Sequence, residues 1–248
     1  MEAILTPPPP TKNQESNQAP EARKVKANPH DWPWVHALDK SNTVFIVIDM
    51  QLDFCEKGGY VDSMGYDVSA MREPIAPIRR VLDACRARGF HVIHTREGYR
   101  PDLADVSPHK LFRSKKAGGA IGSEGPLGRF LIRGEKGHDI IPELYPLPGE
   151  PVIDKPAYSA FCGTDLDIIL KNKGVTNVVL AGVTTDVCVH STMREAYDRG
   201  YECLLLTDCT AATDVRNHVA AHRMIVKEGG VFGAIATSDD FIAAIAAT

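Results

Sequence analysis

Cysteine is scarce in this chain and never paired. Six cysteines stand singly at positions 55, 85, 162, 188, 203 and 209, with no C-x-x-C spacing. That pattern offers neither a zinc knuckle nor a thioredoxin motif. A chain of 248 residues buries a core without disulfide staples, so the spread fits a reducing, cytoplasmic setting. Basic residues are not in surplus: 28 Lys and Arg stand against 32 Asp and Glu, a net charge of -4. This balance argues against a nucleic-acid partner, and no acidic block suggests a tail. No apolar run reaches the length that crosses a membrane. The first residues, Met1 to Thr6 ahead of the run Pro7 to Pro10, lack the charged and apolar regions of a signal peptide. Tryptophan occurs only at 32 and 34.

What is present is an alternation of apolar runs and helical patterns. Residues 1 to 28 are rich in Pro, Gln, Asn, Glu and Lys and read as a disordered tail. Residues 29–248 then form one domain, with Trp32 and Trp34 expected to pack onto it or onto a neighbouring subunit. Thr43 to Asp49 reads as a first buried strand, Phe90 to Thr95 as a second and Pro151 to Lys155 as a third, short one. Further strands are expected at Thr176 to Leu180, Tyr201 to Asp208 and Val231 to Ile235. Helical spacing spans Ser69 to Arg88, kinked or delayed by Pro74 and Pro77 and closed by Gly89. Other helices are expected from Thr164, after Cys188, over Val215 to Glu228 and from Ser238. Strand–helix alternation predicts a three-layer α-β-α fold on a mainly parallel sheet of about six strands. The stretch from Arg96 to about Gly149 lacks such a pattern and reads as an active-site cover or an interface arm.

Three strands end in chemically capable residues: Asp49, Lys155 and, one turn later, Cys188. If these strands are parallel neighbours, the three side chains meet outside the carboxyl edge of the sheet, where α/β folds collect ligands. A thiol nucleophile needs a proton acceptor, which Asp49 supplies, and a cation beside it, which Lys155 supplies. Placement of Cys188 at a strand-to-helix turn predicts that its thiol loses its proton more easily than usual. Each residue also has an ordinary reading. Free cysteines are commonly small buried hydrophobes, Asp49 could cap a turn, and Lys155 could be a solvated strand end.

Val47 to Phe54, the Lys155-Pro156 pair and Ala181 to Val189 resemble the three motifs of the isochorismatase-like cysteine hydrolase superfamily. The resemblance runs in order from about Thr43 to the C-terminus. It implies that Asp49, Lys155 and Cys188 form a catalytic triad. It implies a cis peptide at Val183–Thr184, with the backbone N–H groups of Thr184 and Cys188 as an oxyanion hole. It further implies a homodimer or homotetramer. True isochorismatases lack the cysteine. Nicotinamidases carry an Asp-x-His metal motif after the second strand, where this chain reads Thr95 to Arg100 without that spacing. No metal and no cofactor are therefore expected, with His94 and His109 as the remaining lone histidines of interest.

Phe54 to Tyr60, His94 to Gly98 and Thr192 to Cys203 are most similar to the biuret and triuret hydrolases, with Phe54 lining the pocket. Tyr158 and Glu228 instead resemble the ureidoacrylate pattern, since biuret hydrolase carries lysine and glutamine there. Phe54, Tyr158 and Glu228 are thus the expected substrate-binding residues. The resulting expectation is a metal-independent amidohydrolase that cleaves a C–N bond of a small urea-like substrate, triuret or biuret, and releases ammonia. The alternatives are ureidoacrylate or another small amide, a non-catalytic binding protein on the same fold, and a redox-sensing cysteine.

Overall fold

A computed structural model describes residues 23–246. Its strands are β1 (Thr43–Ile48), β2 (His91–Glu97), β3 (Glu124–Gly125), β4 (Gly128–Arg129), β5 (Val152–Lys155), β6 (Asn177–Val183), β7 (Glu202–Ala211) and β8 (Ala234–Ala236). Its α-helices are α1 (Leu52–Cys55), α2 (Tyr60–Ser63), α3 (Val68–Arg72), α4 (Ile75–Arg88), α5 (Pro108–Lys116), α6 (Leu166–Asn172), α7 (His190–Asp198), α8 (Val215–Val226) and α9 (Ser238–Ala246). Six strands form one sheet in the order β5-β2-β1-β6-β7-β8, and β3 and β4 make a separate small hairpin. Every pairing in the large sheet is parallel. The central strands β1 and β6 are buried along their whole length, as strands covered on both faces must be. Two apolar clusters fill the layers above and below them, one around Phe45, Val47 and Leu82, the other around Ile46, Leu180 and Met193.

The expected helix over Ser69 to Arg88 is two helices, α3 and α4, separated at Pro74. Proline has no N–H to continue the first ladder, and it stands as the N-cap of the second. Gly89 ends α4 in the left-handed conformation, φ 74°. The last strand is shorter than expected: Gly233 at φ 123° breaks the extended chain, and only Ala234–Ala236 pair with β7.

The expected tail lies outside the described residues for 1–22, but its end at 28 is too far along. Val25 is fully buried and exchanges backbone hydrogen bonds with Trp32, and Asn28 does the same with Ile235 beside β8. An apolar Val25 and a fully buried Trp32 supply the burial that composition alone concealed. Trp34, by contrast, is 67% exposed. Among the described residues no helix is long and apolar enough to cross a membrane.

The stretch after β2 is a packed cover. Tyr99, Ile121, Leu131, Ile132, Ile140 and Ile141 join the core. Main-chain bonds fasten it to the loop after β1: Leu52 N donates to Asp139 O, Asp53 N to Gly137 O, and Ile141 N to Met50 O. Gln51 Nε2 donates to Glu97 O and His138 O, and Asp53 Oδ2 accepts from Leu131 N.

Candidate active site

Parallel register sets three strand ends side by side. Ile48 pairs with Thr95 on one side and Gly182 on the other, and Glu97 pairs with Lys155. Asp49, one residue beyond β1, takes φ 50°, a left-handed conformation that aspartate tolerates better than most residues. Its N–H donates to Thr95 O, and the Thr95 hydroxyl donates to Asp49 Oδ1 at 2.7 Å. Gly182 brings β6 against this point. A Cβ there would lie 2.0 Å from Ile48 O, so only glycine permits the approach. After Gly182 the Val183–Thr184 peptide is cis, and a single π-helical turn, Thr185–Val189, carries Cys188 ahead of α7.

Asp49, Lys155 and Cys188 are brought together as expected. Lys155 Nζ lies 2.7 Å from Asp49 Oδ2 and donates to Cys188 Sγ at 3.4 Å and to Ala157 O at 2.9 Å. The Asp49–Lys155 contact is a short, fully buried ion pair. Glu97, which sequence reasoning passed over, belongs to the same cluster. Cys188 Sγ donates to Glu97 Oε2 at 3.5 Å, and Lys155 Nζ is 3.9 Å from that oxygen. Tyr99 OH donates to Glu97 Oε1 at 2.7 Å, and Lys110 Nζ stands 3.4 Å from it. The signal for Glu97 was its place two residues past Thr95 on a buried strand, where a charge needs partners.

Electrostatics reverse the expectation for the thiol. Burial pushes Cys188 well above the usual thiol range, and the carboxylates of Asp49 and Glu97 add to this against Lys155. Burial first, with two negative neighbours beside it, favours the protonated thiol over the thiolate. Burial also raises Asp49, with Glu97 adding to the effect, although Lys155 opposes it. Burial acts on Glu97 in the same sense, but Lys155, Lys110 and Tyr99 outweigh it, and Glu97 is lowered. Lys155 is raised: burial disfavours its charge, but Asp49, Cys188 and Glu97 hold the proton on. The two carboxylates are thus driven apart, one toward accepting a proton and one toward staying ionised.

Cys188 opens into a cavity of about 270 Å³. Phe54, Tyr158 and Thr184 line it as expected, joined by Tyr60, Lys110 and Arg113. Lys110 and Arg113 come from α5, in the cover, where no apolar period marked them as pocket residues. Lys110 Nζ sits 4.8 Å from the Tyr99 ring centre and 4.3 Å from that of Tyr158. Glu228 is not among the lining residues. It is exposed at φ 54° in the turn after α8, beside Gly229 and Gly230, apart from the expected pocket residues Phe54 and Tyr158. A larger groove of about 480 Å³, bordered by Trp32, Trp34 and Tyr201, contains none of Asp49, Lys155 and Cys188.

Oxygen and sulfur atoms of Asp49, Glu97 and Cys188 lie within 4.8 Å of one another, close enough to hold a cation. The Lys155 ammonium contacts all three and supplies that positive charge itself. A metal ion among them would be repelled by the ammonium, so the donor set does not fit one. His94 bonds Glu150 at 3.2 Å and His109 bonds Ser107 at 3.2 Å, both away from the cluster.

A parallel six-stranded sheet with a thiol, an ammonium and a carboxylate gathered at its carboxyl edge is a three-layer α-β-α scaffold with a cysteine at the centre of its site, the class of the cysteine hydrolases. Residues 43–240 match the isochorismatase domain, and the chain belongs to that family. It is 32% identical over 235 residues to a ureidoacrylate amidohydrolase of Rhizobium rhizogenes, covering 92% of this chain and 93% of the relative. A cysteine hydrolase from Pseudomonas syringae superposes with a TM-score of 0.74 at 26% identity, over 90% of this chain and 97% of the other. An N-carbamoylsarcosine amidase from Thermoplasma acidophilum gives a TM-score of 0.62 at 25% identity, over 80% and 97%.

Proposed function

We propose that this chain is a cysteine amidohydrolase that cleaves the ureido C–N bond of a small N-carbamoyl carboxylate of the ureidoacrylate type. The observation that carries the reading is the cluster of Asp49, Lys155 and Cys188, of which Cys188 reaches a cavity whose wall holds Lys110 and Arg113. Relatives named for ureidoacrylate and N-carbamoylsarcosine, both ureido carboxylates, support the substrate class. Glu228, the residue that favoured triuret, does not line the cavity, whereas Lys110 and Arg113 do.

In this reading the substrate carbonyl lies over Cys188. Asp49 Oδ2 takes the thiol proton as sulfur attacks the carbonyl carbon, so charge moves within the cluster without crossing to solvent. The backbone N–H groups of Thr184 and Cys188 hold the oxyanion, and Lys155 steadies both Asp49 and the sulfur. The tetrahedral adduct collapses, the C–N bond breaks, and Asp49 returns its proton to the departing nitrogen. Water, deprotonated by Asp49, then splits the S-carbamoyl thiocarbamate, regenerating the thiol and releasing a carbamate that decomposes to carbon dioxide and the second nitrogen product. Ionised Glu97 accepts N–H groups of the ureido unit and fixes which face meets the sulfur.

Ammonia release is measured from ureidoacrylate, N-carbamoyl amino acids, biuret, triuret and nicotinamide, beside a Cys188→Ala control. Cys188-dependent turnover of the ureido carboxylates is expected. Turnover confined to biuret or triuret overturns the substrate class, and a Cys188→Ser protein with full activity overturns the mechanism.

A further inference from the structure

The chain carries a net charge of -4, yet α5, which borders the cavity, holds Lys110, Arg113, Lys115 and Lys116 and no acidic residue. These cations differ in how they are spent. Lys110 is neutralised by Glu97 at 3.4 Å, donates to Pro156 O and packs against two tyrosine rings. Arg113 lines the cavity and faces no carboxylate at ion-pair distance among the described residues; its charge is felt by the Tyr158 hydroxyl. Elsewhere in the chain arginines near carboxylates are engaged, as Arg86 is with Glu150 and Arg96 with Asp154. A guanidinium left open on a pocket wall presents a planar fork of donors that matches a carboxylate.

We infer that Arg113 selects the substrate, pairing with a carboxylate at the end of the ureido compound remote from the scissile carbonyl. The inference rests on the amidohydrolase reading and adds to it a residue and a rule. Compounds bearing an anion opposite the ureido group are accepted, and neutral ureides of the same size are disfavoured. Glu97, ionised at the inner end, repels the carboxylate and receives N–H donors, so the two charges fix the substrate's direction in the cavity. The basic helix around Arg113 draws anions toward the opening, an effect that salt weakens.

The test uses the full-length protein, 3-ureidopropionate and its neutral primary amide. Hydrolysis of both is compared in the native protein, Arg113→Gln and Arg113→Lys. Binding of both is measured by calorimetry in Cys188→Ala and in Cys188→Ala/Arg113→Gln. Arg113→Gln is expected to lower kcat/KM for the acid about 10- to 100-fold more than for the amide, mainly through KM, the range set by a lost charge-assisted bidentate contact. Arg113→Lys should recover part of this loss, and added salt should weaken the acid alone. Equal losses for acid and amide, an unaffected acid, or no binding of the acid to Cys188→Ala overturns the inference. Arg113-dependent binding without hydrolysis would instead sink the amidohydrolase reading and leave Arg113's role standing.

Discussion

The ammonium of Lys155 stands 2.7 Å from Asp49 Oδ2 with both side chains wholly buried. Such a pair contributes little net stability compared with an apolar one, but removing one partner strands the other's charge. Lys155→Met should therefore destabilise the protein by about 3 to 5 kcal/mol. A Lys155→Met/Asp49→Asn double variant should recover much of that loss, and urea unfolding of the three proteins checks it. Equal stability of the single and double variants would show that the pair is not coupled.

The thiol should be quiet at neutral pH. Burial and two carboxylates raise Cys188, so alkylation by iodoacetamide should be slow at pH 7 and should climb only above the range of ordinary thiols. Glu97→Gln removes one of those charges. It should speed alkylation of Cys188 while lowering turnover about 100-fold, a split that mass spectrometry of the labelled peptide and ammonia release measure separately. Rapid alkylation of the native thiol at pH 7 would contradict the resting state described above.

Asp49 must be ionised to accept the proton, and its raised value moves that requirement upward. The acid limb of kcat/KM should lie above the range of ordinary aspartates, with activity rising as pH rises through it. A limb at the unperturbed aspartate value would argue that another group is the base.

Gly182→Ala should cost about 3 kcal/mol or more, because φ 109° disfavours any side chain and the new Cβ meets Ile48 O. Since Cys188 follows on the same strand and turn, activity should fall further than the melting temperature suggests. Differential scanning calorimetry beside turnover separates the two effects.

Glu150 gives an acid-stability test. Burial works to raise it, but hydrogen bonds from Arg86, His94 and the Leu147 N–H prevail and lower it to about 2. A lowered carboxylate stabilises the fold fully above its unfolded value near 4.5 and loses that contribution as pH falls toward 2. Glu150→Gln should flatten the stability profile between those limits, which urea midpoints across the pH series would reveal.

The alternation of strands and helices was readable because β1 and β6 are continuous apolar runs, and a strand buried on both faces leaves that signature. Asp49, Lys155 and Cys188 were readable because polar residues closing such runs mark the carboxyl edge of a sheet. Glu97 was not, since a single charge inside Arg96-Glu97-Gly98 looks like a solvated strand end until Tyr99, Lys110 and Lys155 are seen around it. Lys110 and Arg113 were hidden for a different reason. They lie on a nine-residue helix that only the three-dimensional folding of the cover brings beside Cys188, and such a long-range approach leaves no periodic trace. The thiol's ionisation was not legible because a local feature, the helix end, says nothing of the burial and the carboxylates that the rest of the fold places around Cys188. Val25 escaped notice within a polar stretch because one apolar residue gives no period.

The cover between β2 and β5 is tied down by groups on the loop that carries Asp49, and none of those ties runs through α5. The part that recognises a substrate and the part that fastens the cover are therefore separate stretches of the same segment. Arg113, which makes no ion pair among the described residues, can be exchanged while the fastenings stay as they are; Lys110, paired with Glu97, cannot be changed without touching the cluster. If Arg113 chooses the substrate as inferred, the same scaffold should be retargeted from acids to amides by changes on a single turn of α5.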